Sequence, residues 1–183
     1  ATRIDPAAPE MPLSTPPDYA GELAAALGPF FTQGLPCDTK ALEEDVFTDA
    51  DYLSQSDVVF AERKRQLAHE LDRFTARDRG FLFFYFNYPD QDCHMWWRAI
   101  DPRSPLHAAC AQEHHGRIPE IYQSLDAVLG GVLDQVDDDT LVMVMSDHGF
   151  APYRRSFHVN AWLREHGYLA LADGVRPGDV EYL

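Results

Sequence analysis

The chain has 183 residues, of which 45% are hydrophobic and 12% aromatic, so it can bury one ordinary core and is too apolar for a wholly disordered protein. Its 30 acidic residues outnumber the 15 lysines and arginines, and the formal net charge is −15. Because modules that bind DNA or RNA normally carry a basic stripe, the sequence shows no nucleic-acid-binding signature. Bound divalent cations would offset this charge locally, so an anionic substrate remains compatible with it.

Cysteine usage and hydropathy bear on the compartment. The three cysteines, Cys37, Cys93 and Cys110, are far apart and odd in number, which indicates neither a disulfide framework nor a CxxC zinc site. A reducing compartment fits this pattern, and we expect a cytoplasmic protein. The longest apolar stretch is well short of the roughly 20 residues that a transmembrane helix needs, so no membrane partner is expected.

The N-terminal part of the chain predicts an arm followed by a domain. Residues 1–19 are rich in proline and are typical of an extended arm or linker. The domain is expected over residues 20–183. Its first element is a short helix over residues 20–27 (AGELAAAL), which Gly28 ends.

A longer helix and an apolar strand come next. From Ser56 or Asp57 to Phe74, apolar residues recur near helical spacing opposite a charged face, and Gly80 stops the helix. The following run, FLFFYFNY at residues 81–88, is almost wholly apolar and does not alternate with polar residues. Such a run predicts a strand that is covered on both faces.

The second half of the chain continues the alternation of helix and strand. Residues 89–115 are polar and rich in histidine, and predict a loop with a short helix. A helix is predicted from Pro119 to Asp134, with the proline in its first turn. TLVMVMS at residues 140–146 predicts a second buried strand, and AWLREHGYLAL predicts a short helix with Gly167 as its C-cap, followed by an extended piece.

This order of elements predicts an α/β domain with a mostly parallel sheet flanked by helices. In such sheets, ligands bind just beyond the carboxyl ends of the strands. Two short motifs whose side chains could bind a metal ion or take part in catalysis occupy that position, one after each predicted strand.

The first motif places Asp90 and His94 directly after the first strand. A carboxylate and an imidazole four residues apart share one face if the chain is helical there, and could then bind one ion. Oxygen and imidazole ligands suit Zn²⁺, and more loosely Mn²⁺ or Fe. The alternative is an exposed Asp90 with His94 partly buried beside Trp96 and Trp97.

The second motif is Ser-Asp-His-Gly-Phe, in which Asp147 and His148 follow the second strand. Adjacent residues of a regular strand point to opposite faces, so both can bind one ion only if the strand ends in a turn. Gly149 provides the freedom for that turn. The alternative is a helix N-cap with a neighbouring histidine.

The two motifs together favour chemistry on phosphate esters. Each places a carboxylate and an imidazole past a predicted buried strand at the same edge of the sheet. Two divalent ions held about 3.5–4 Å apart would stabilise the attacking and leaving oxygens of an in-line phosphoryl displacement.

Asp-xxx-His after an apolar strand, followed some fifty residues later by SDHGF, resembles the alkaline phosphatase superfamily. The similarity is to its type I phosphodiesterase/nucleotide pyrophosphatase branch, and within that branch to the predicted phosphohydrolase/phosphomutase proteins. The segments PLSTPPDYAGELAAALGPFFTQGLP, FYFNYPDQDCHMWWRAIDP and FHVNAWLREHGYL also resemble that branch. The resemblance implies an alkaline-phosphatase-like α/β domain and a phosphoric ester hydrolase.

By this resemblance, Asp90 and His94 match two ligands of one divalent ion, and Asp147 and His148 match two ligands of the other. Three further family residues find no match in the chain, namely an N-terminal Asp, a Ser or Thr nucleophile and a late His. We therefore expect an interior or C-terminal fragment that forms a partial domain and is inactive alone. Its expected partners are a small-molecule phosphate ester and the remainder of its own catalytic domain.

Several alternatives remain open from the sequence. The protein could be a phosphomutase of the same superfamily, or a non-catalytic metal-binding α/β module. His158 could approach the site, and Asp92 could be a spare ligand or could orient His94. A sulfatase is disfavoured because the chain has no Cys-x-Pro-x-Arg sequence.

Overall fold

The computed structural model describes residues 5–151 and 157–176, and within them the regular structure is helical. The chain divides into two compact units, residues 1–150 and 151–183. The helices of the first unit are α1 (Tyr19–Leu27), α2 (Thr39–Glu43), α3 (Asp49–Thr75), α4 (Tyr88–Ile100) and α5 (Arg117–Leu133), with short 3₁₀ turns at His107–Ala109 and Gln112–His114. The second unit contains α6 (Val159–Glu165).

The predicted parallel sheet is wrong. Among the described residues no β-strand forms, and both segments that were predicted to be buried strands are extended chain outside regular structure. In the first segment the side chains alternate, so that Phe81, Phe83 and Tyr85 are exposed whereas Phe84 and Phe86 are partly buried. One face of this segment packs on the helical layer and the other is uncovered, so the expectation of two covered faces fails.

The second apolar segment shows the same departure. Leu141, Met143, Val144 and Met145 are all exposed. An apolar run without alternation indicates a buried strand only if neighbouring strands complete its hydrogen-bond ladder. The described residues provide no such ladder at 140–149, so the run lies outside regular structure and its side chains are largely exposed.

Helix α3 begins earlier than its apolar periodicity predicts. Thr48 caps the helix by accepting a hydrogen bond from the backbone N–H of Asp51, and the Asp51 carboxylate accepts from the Thr48 backbone N–H in return. This capping box satisfies two backbone donors and fixes the start at Asp49 rather than at Ser56 or Asp57. The short helix over residues 20–27 is confirmed as α1, which ends at Gly28 as expected.

The core of the first unit lies where α3, α4 and α5 meet. Trp96 of α4 is completely buried and contacts the ring of Tyr52 from α3 at 6.4 Å between centroids. Phe60 of α3 stacks on Tyr88 at the start of α4, with centroids 4.3 Å apart and planes 7° from parallel. Ile121 of α5 is also buried in this cluster. The core therefore fixes the position of α4 from its first residue onward.

The predicted helix near the C-terminus is confirmed as α6. Trp162 of this helix stacks on His166, with ring centroids 4.2 Å apart, and the chain then turns at Gly167, whose φ is +79°. A positive φ is accessible to glycine at little cost, so Gly167 ends the helix as expected. No helix among the described residues is both long and apolar enough to cross a bilayer.

Replacing Trp96 tests the assignment of the core. We expect Trp96→Ala to lower the free energy of unfolding by about 3–5 kcal/mol, because it removes a large, fully buried ring. Urea unfolding followed by circular dichroism gives the measurement. Phe83→Ala is the matched control, since Phe83 is exposed and its removal should change stability by no more than about 0.5 kcal/mol. Equal effects of the two substitutions would contradict the packing described above.

Candidate metal centre

Asp90 and His94 lie one turn apart at the start of α4. Asn87 precedes the helix and Pro89 lies in its first turn, where its missing N–H costs no hydrogen bond. His94 Nε2 lies 3.7 Å from Asp90 Oδ1. Asp90 Oδ1 is buried and accepts no hydrogen bond. A buried carboxylate oxygen without a donor is costly, and a cation placed between it and the imidazole would remove that cost.

Asp147 and His148 lie on irregular chain after the second apolar segment. His148 Nε2 is 3.5 Å from Asp147 Oδ2, and the two side chains are 59% and 78% exposed. The Ser146 hydroxyl donates to the backbone carbonyl of His148 at 2.6 Å, which holds the turn. His148 Nδ1 lies 2.9 Å from the Gly149 carbonyl oxygen. The pair is therefore locally ordered but open to solvent.

The electrostatics of His148 connect the two motifs. Its pKa is raised, first by the hydrogen bond to the Gly149 carbonyl, then by the negative charge of Asp147, and to a smaller extent by Asp90. Asp90 belongs to the other motif and is 58 residues away in sequence. A charge influences a solvent-exposed imidazole in this way only when it is close, because water screens distant charges.

A ring contact also joins the motifs. The ring of Phe150, two residues after His148, meets His94 edge-on with centroids 5.0 Å apart. Phe150 also packs against Trp97 at 4.9 Å. The second motif is thus held against the start of α4 by an aromatic contact that the sequence did not reveal.

The arrangement does not form one compact coordination sphere. Across residues 5–151 and 157–176, no three His, Cys, Asp or Glu side chains lie close enough together to hold a single ion. The structure instead presents two carboxylate–imidazole pairs that are neighbours. Oxygen and nitrogen donors of this kind suit Zn²⁺ and related divalent ions. The donor types and the unpartnered Asp90 oxygen are compatible with divalent cations, each pair offering two donors.

Asp92 is neither a spare ligand nor a partner that orients His94. Its side chain is completely buried, accepts from the Ser56 hydroxyl at 2.7 Å and accepts from Arg117 Nε at 2.9 Å. Arg117 also donates to Asp57 at 2.9 Å. Burial raises the pKa of Asp92, and Ser56 and Arg117 partly oppose that rise. This network links α3, α4 and α5 and was not predicted from the sequence.

The remaining candidates lie elsewhere. His158 belongs to the second unit, where it precedes α6. His114 packs edge-on against Trp96, with ring centroids 5.0 Å apart. His115 lies against the ring of His107 at 4.8 Å. Cys93 is buried, and burial raises the pKa of its thiol to about 11, which agrees with a packing role.

Comparison with known families identifies the class of protein. The family model for type I phosphodiesterase / nucleotide pyrophosphatase matches residues 9–182, almost the whole chain. The chain therefore belongs to this family of phosphoric ester hydrolases, which is part of the alkaline phosphatase superfamily. No curated protein and no solved structure matches the chain.

The Asp92 network gives a stability prediction. Arg117→Ala should lower the free energy of unfolding by about 3–5 kcal/mol at neutral pH, because Asp92 would be left buried without its charged partner. Lys40→Ala is the control, since Lys40 and its partner Glu44 are both exposed and loss of that surface pair should cost no more than about 1 kcal/mol. Urea unfolding of both variants provides the comparison.

The same substitution has a predicted pH dependence. A buried carboxyl whose folded-state pKa lies above its unfolded value destabilises the fold only where it is ionised. The loss in Arg117→Ala should therefore shrink as the pH falls toward about 4, the ordinary Asp value. Adding Asp92→Asn should recover part of the loss at neutral pH. A deficit that is independent of pH and is not recovered would show that Arg117 acts through packing alone.

Proposed function

We propose that this chain contributes a divalent-metal site to the hydrolysis of small-molecule phosphate esters. Asp90 and His94 serve as ligands of one divalent ion, and Asp147 and His148 serve as ligands of a second. Zn²⁺ suits the donor set best, with Mn²⁺ and Fe as alternatives. The family membership supports the reaction class, and the proximity of the two pairs supports the site.

The observation that carries the proposal is the unpartnered oxygen of Asp90 beside the second pair. Asp90 Oδ1 is buried, has no hydrogen-bond donor and lies 3.7 Å from His94 Nε2. Phe150, two residues after His148, meets the ring of His94 with centroids 5.0 Å apart, which supports the proximity of the two pairs. The negative charges of the Asp90 and Asp147 carboxylates disfavour a bound phosphate unless cations offset them.

In this proposal the two carboxylate–imidazole pairs have different roles. A bound divalent ion supplies Lewis acidity, offsets negative charge and lowers the pKa of an oxygen nucleophile. Asp90 and His94 hold their position because α4 is rigid and packed. Asp147 and His148 lie on a turn and can adjust to the ion and to the phosphate. We assign no nucleophile to the described residues.

Metal binding by the purified chain tests the ligand assignment. We expect Zn²⁺ or Mn²⁺ to bind in isothermal titration calorimetry, and His94→Ala and Asp147→Ala each to weaken binding about tenfold or more, since even partners outside the coordination shell cost that much. His166→Ala and Asp126→Ala are matched controls, because both residues are exposed and distant in sequence from the two motifs. If the control substitutions weaken binding as strongly as His94→Ala and Asp147→Ala, the ligand assignment is wrong.

Anion binding then tests the function. Methylphosphonate, a phosphate analogue that is not hydrolysed, should bind the metal-loaded chain and lose most of its affinity in excess EDTA or in Asp147→Ala. Hydrolysis of bis(4-nitrophenyl) phosphate by the same samples reports on turnover. A chain that binds metal at these residues but binds no methylphosphonate would support a non-catalytic metal-binding module instead.

A further inference from the structure

A second concave site lies at the opposite end of the first extended segment. A cavity of about 210 Å³ forms where the C-terminal turn of α3 meets the N-terminal arm and the start of the segment at residues 80–87. The arm contributes Thr15 and Pro16 to its wall, and the segment contributes Phe81. Phe81 and Asn87 are six residue steps apart, and at about 3.3 Å per step of extended chain the cavity lies roughly 20 Å along the chain from the start of α4.

The cavity carries a net positive charge on an acidic chain. Arg73, Arg77 and Glu70 line it, and the chain as a whole has a net charge of −15. Glu70 is already engaged, because it accepts a hydrogen bond from the Tyr19 hydroxyl and lies 3.9 Å from Arg73 Nη1. Burial, reinforced by Glu70, raises the pKa of Tyr19 to about 12, so the phenol stays neutral and adds no negative charge to the wall.

Arg73 and Arg77 differ in the contacts that their guanidinium groups already make. The guanidinium of Arg73 lies over the ring of Tyr19, 4.7 Å from the centroid, in addition to its approach to Glu70. The guanidinium of Arg77 makes no ion pair or hydrogen bond within residues 5–151 and 157–176. It therefore keeps its full capacity to bind a carboxylate or phosphate in bidentate fashion.

The rest of the wall is mostly apolar and includes the two phenylalanines Phe74 and Phe81. Phe81 is 90% exposed, so its ring faces solvent without cover. The backbone of Gly80 approaches Phe74 so closely that a Cβ at this position would lie 3.3 Å from the Phe74 ring. Glycine therefore permits the aromatic ring and the backbone to meet in the cavity wall. A ligand with an apolar body would cover the Phe81 ring and gain the free energy of that burial.

We propose that this cavity binds a small organic anion that has one carboxylate or phosphate group on an aromatic body. Arg77 binds the anionic group, and Phe81 and Phe74 contact the apolar body. The site requires no metal ion and is separate from Asp90, His94, Asp147 and His148, so it stands independently of the function proposed above.

The size of the cavity limits the ligand. Its volume of about 210 Å³ equals that of roughly seven water molecules in the liquid, and it is smaller than most pockets for drug-sized ligands. Such a space accepts a compact anion of about ten non-hydrogen atoms, of which benzoate is an example. Ligands of that size in a partly open site bind with dissociation constants in the millimolar range.

A titration of the full chain with benzoate tests the proposal. Two-dimensional ¹⁵N–¹H NMR follows the amide resonance of Gly80, which lies in the cavity wall, and EDTA is present so that metal-bound benzoate does not contribute. We expect a saturable shift with a millimolar dissociation constant. Arg77→Ala should weaken binding about tenfold, since it removes a charge-assisted hydrogen bond, and Phe81→Ala should weaken it severalfold.

Two matched controls give the test its specificity. Arg79→Ala removes an arginine two residues further on that does not line the cavity, and Phe83→Ala removes an exposed ring on the same face of the segment that also does not line it. Both variants should bind benzoate like the unmodified chain. Acetate and inorganic phosphate, which lack the aromatic body, should bind at least tenfold more weakly than benzoate.

Three results would overturn the proposal. The first is no saturable shift of Gly80 up to tens of millimolar benzoate. The second is equal weakening by Arg77→Ala and Arg79→Ala, which would indicate attraction to a general basic surface. The third is equal binding of acetate and benzoate, which would show that Phe81 and Phe74 do not recognise the ligand. Since Phe81 and Arg77 are both exposed, neither substitution should unfold the chain.

Discussion

The burial of Asp92 is the constraint on which the rest of the first unit depends. A completely buried carboxylate is tolerated only with partners, and Asp92 has Ser56 from α3 and Arg117 from α5. These bonds fix how α4 is rotated about its own axis. At about 100° per residue, positions two before and two after Asp92 both lie roughly 160° away from it. Turning Asp92 inward therefore places Asp90 and His94 together on the opposite face.

Because of this constraint, the two pairs of the candidate metal centre differ in how rigidly they are held. Asp90 and His94 inherit the rigidity of a helix whose rotation is fixed by buried polar bonds. Asp147 and His148 have only a local turn and the contact of Phe150 with His94 and the neighbouring helix. Sites built on helices hold their geometry better than sites on loops. The first pair is therefore the more rigidly held of the two, and the second pair lies on chain whose conformation is less constrained.

Local features of the fold could be predicted from the sequence, and tertiary ones could not. Apolar spacing and glycine caps correctly placed α1 and α6. Helix α3 was predicted to start too late because its apolar periodicity begins only after the capping residues Thr48 and Asp51. The run at residues 81–88 was misjudged because an unbroken apolar sequence does not say which faces will be covered. The pairing of Asp92 with Arg117 joins residues 25 positions apart through packing, which no local pattern records. Motif spacing predicts the four candidate ligands, and that assignment stays a prediction, whereas the contact of His94 with Phe150 is found only in the structure.

The two ends of the first extended segment differ in charge, so anion binding has different requirements at each end. Near Tyr88 the candidate ligands include the carboxylates of Asp90 and Asp147, so a phosphate group can approach only when cations offset their negative charge. Near Gly80 the cavity already has two guanidinium groups against one engaged carboxylate. On the two proposals above, anion binding at the first end depends on divalent ions and anion binding at the second end does not. EDTA is therefore expected to abolish the first and to leave the second unchanged, which makes the two proposals separable by experiment even though one short segment of chain connects the sites.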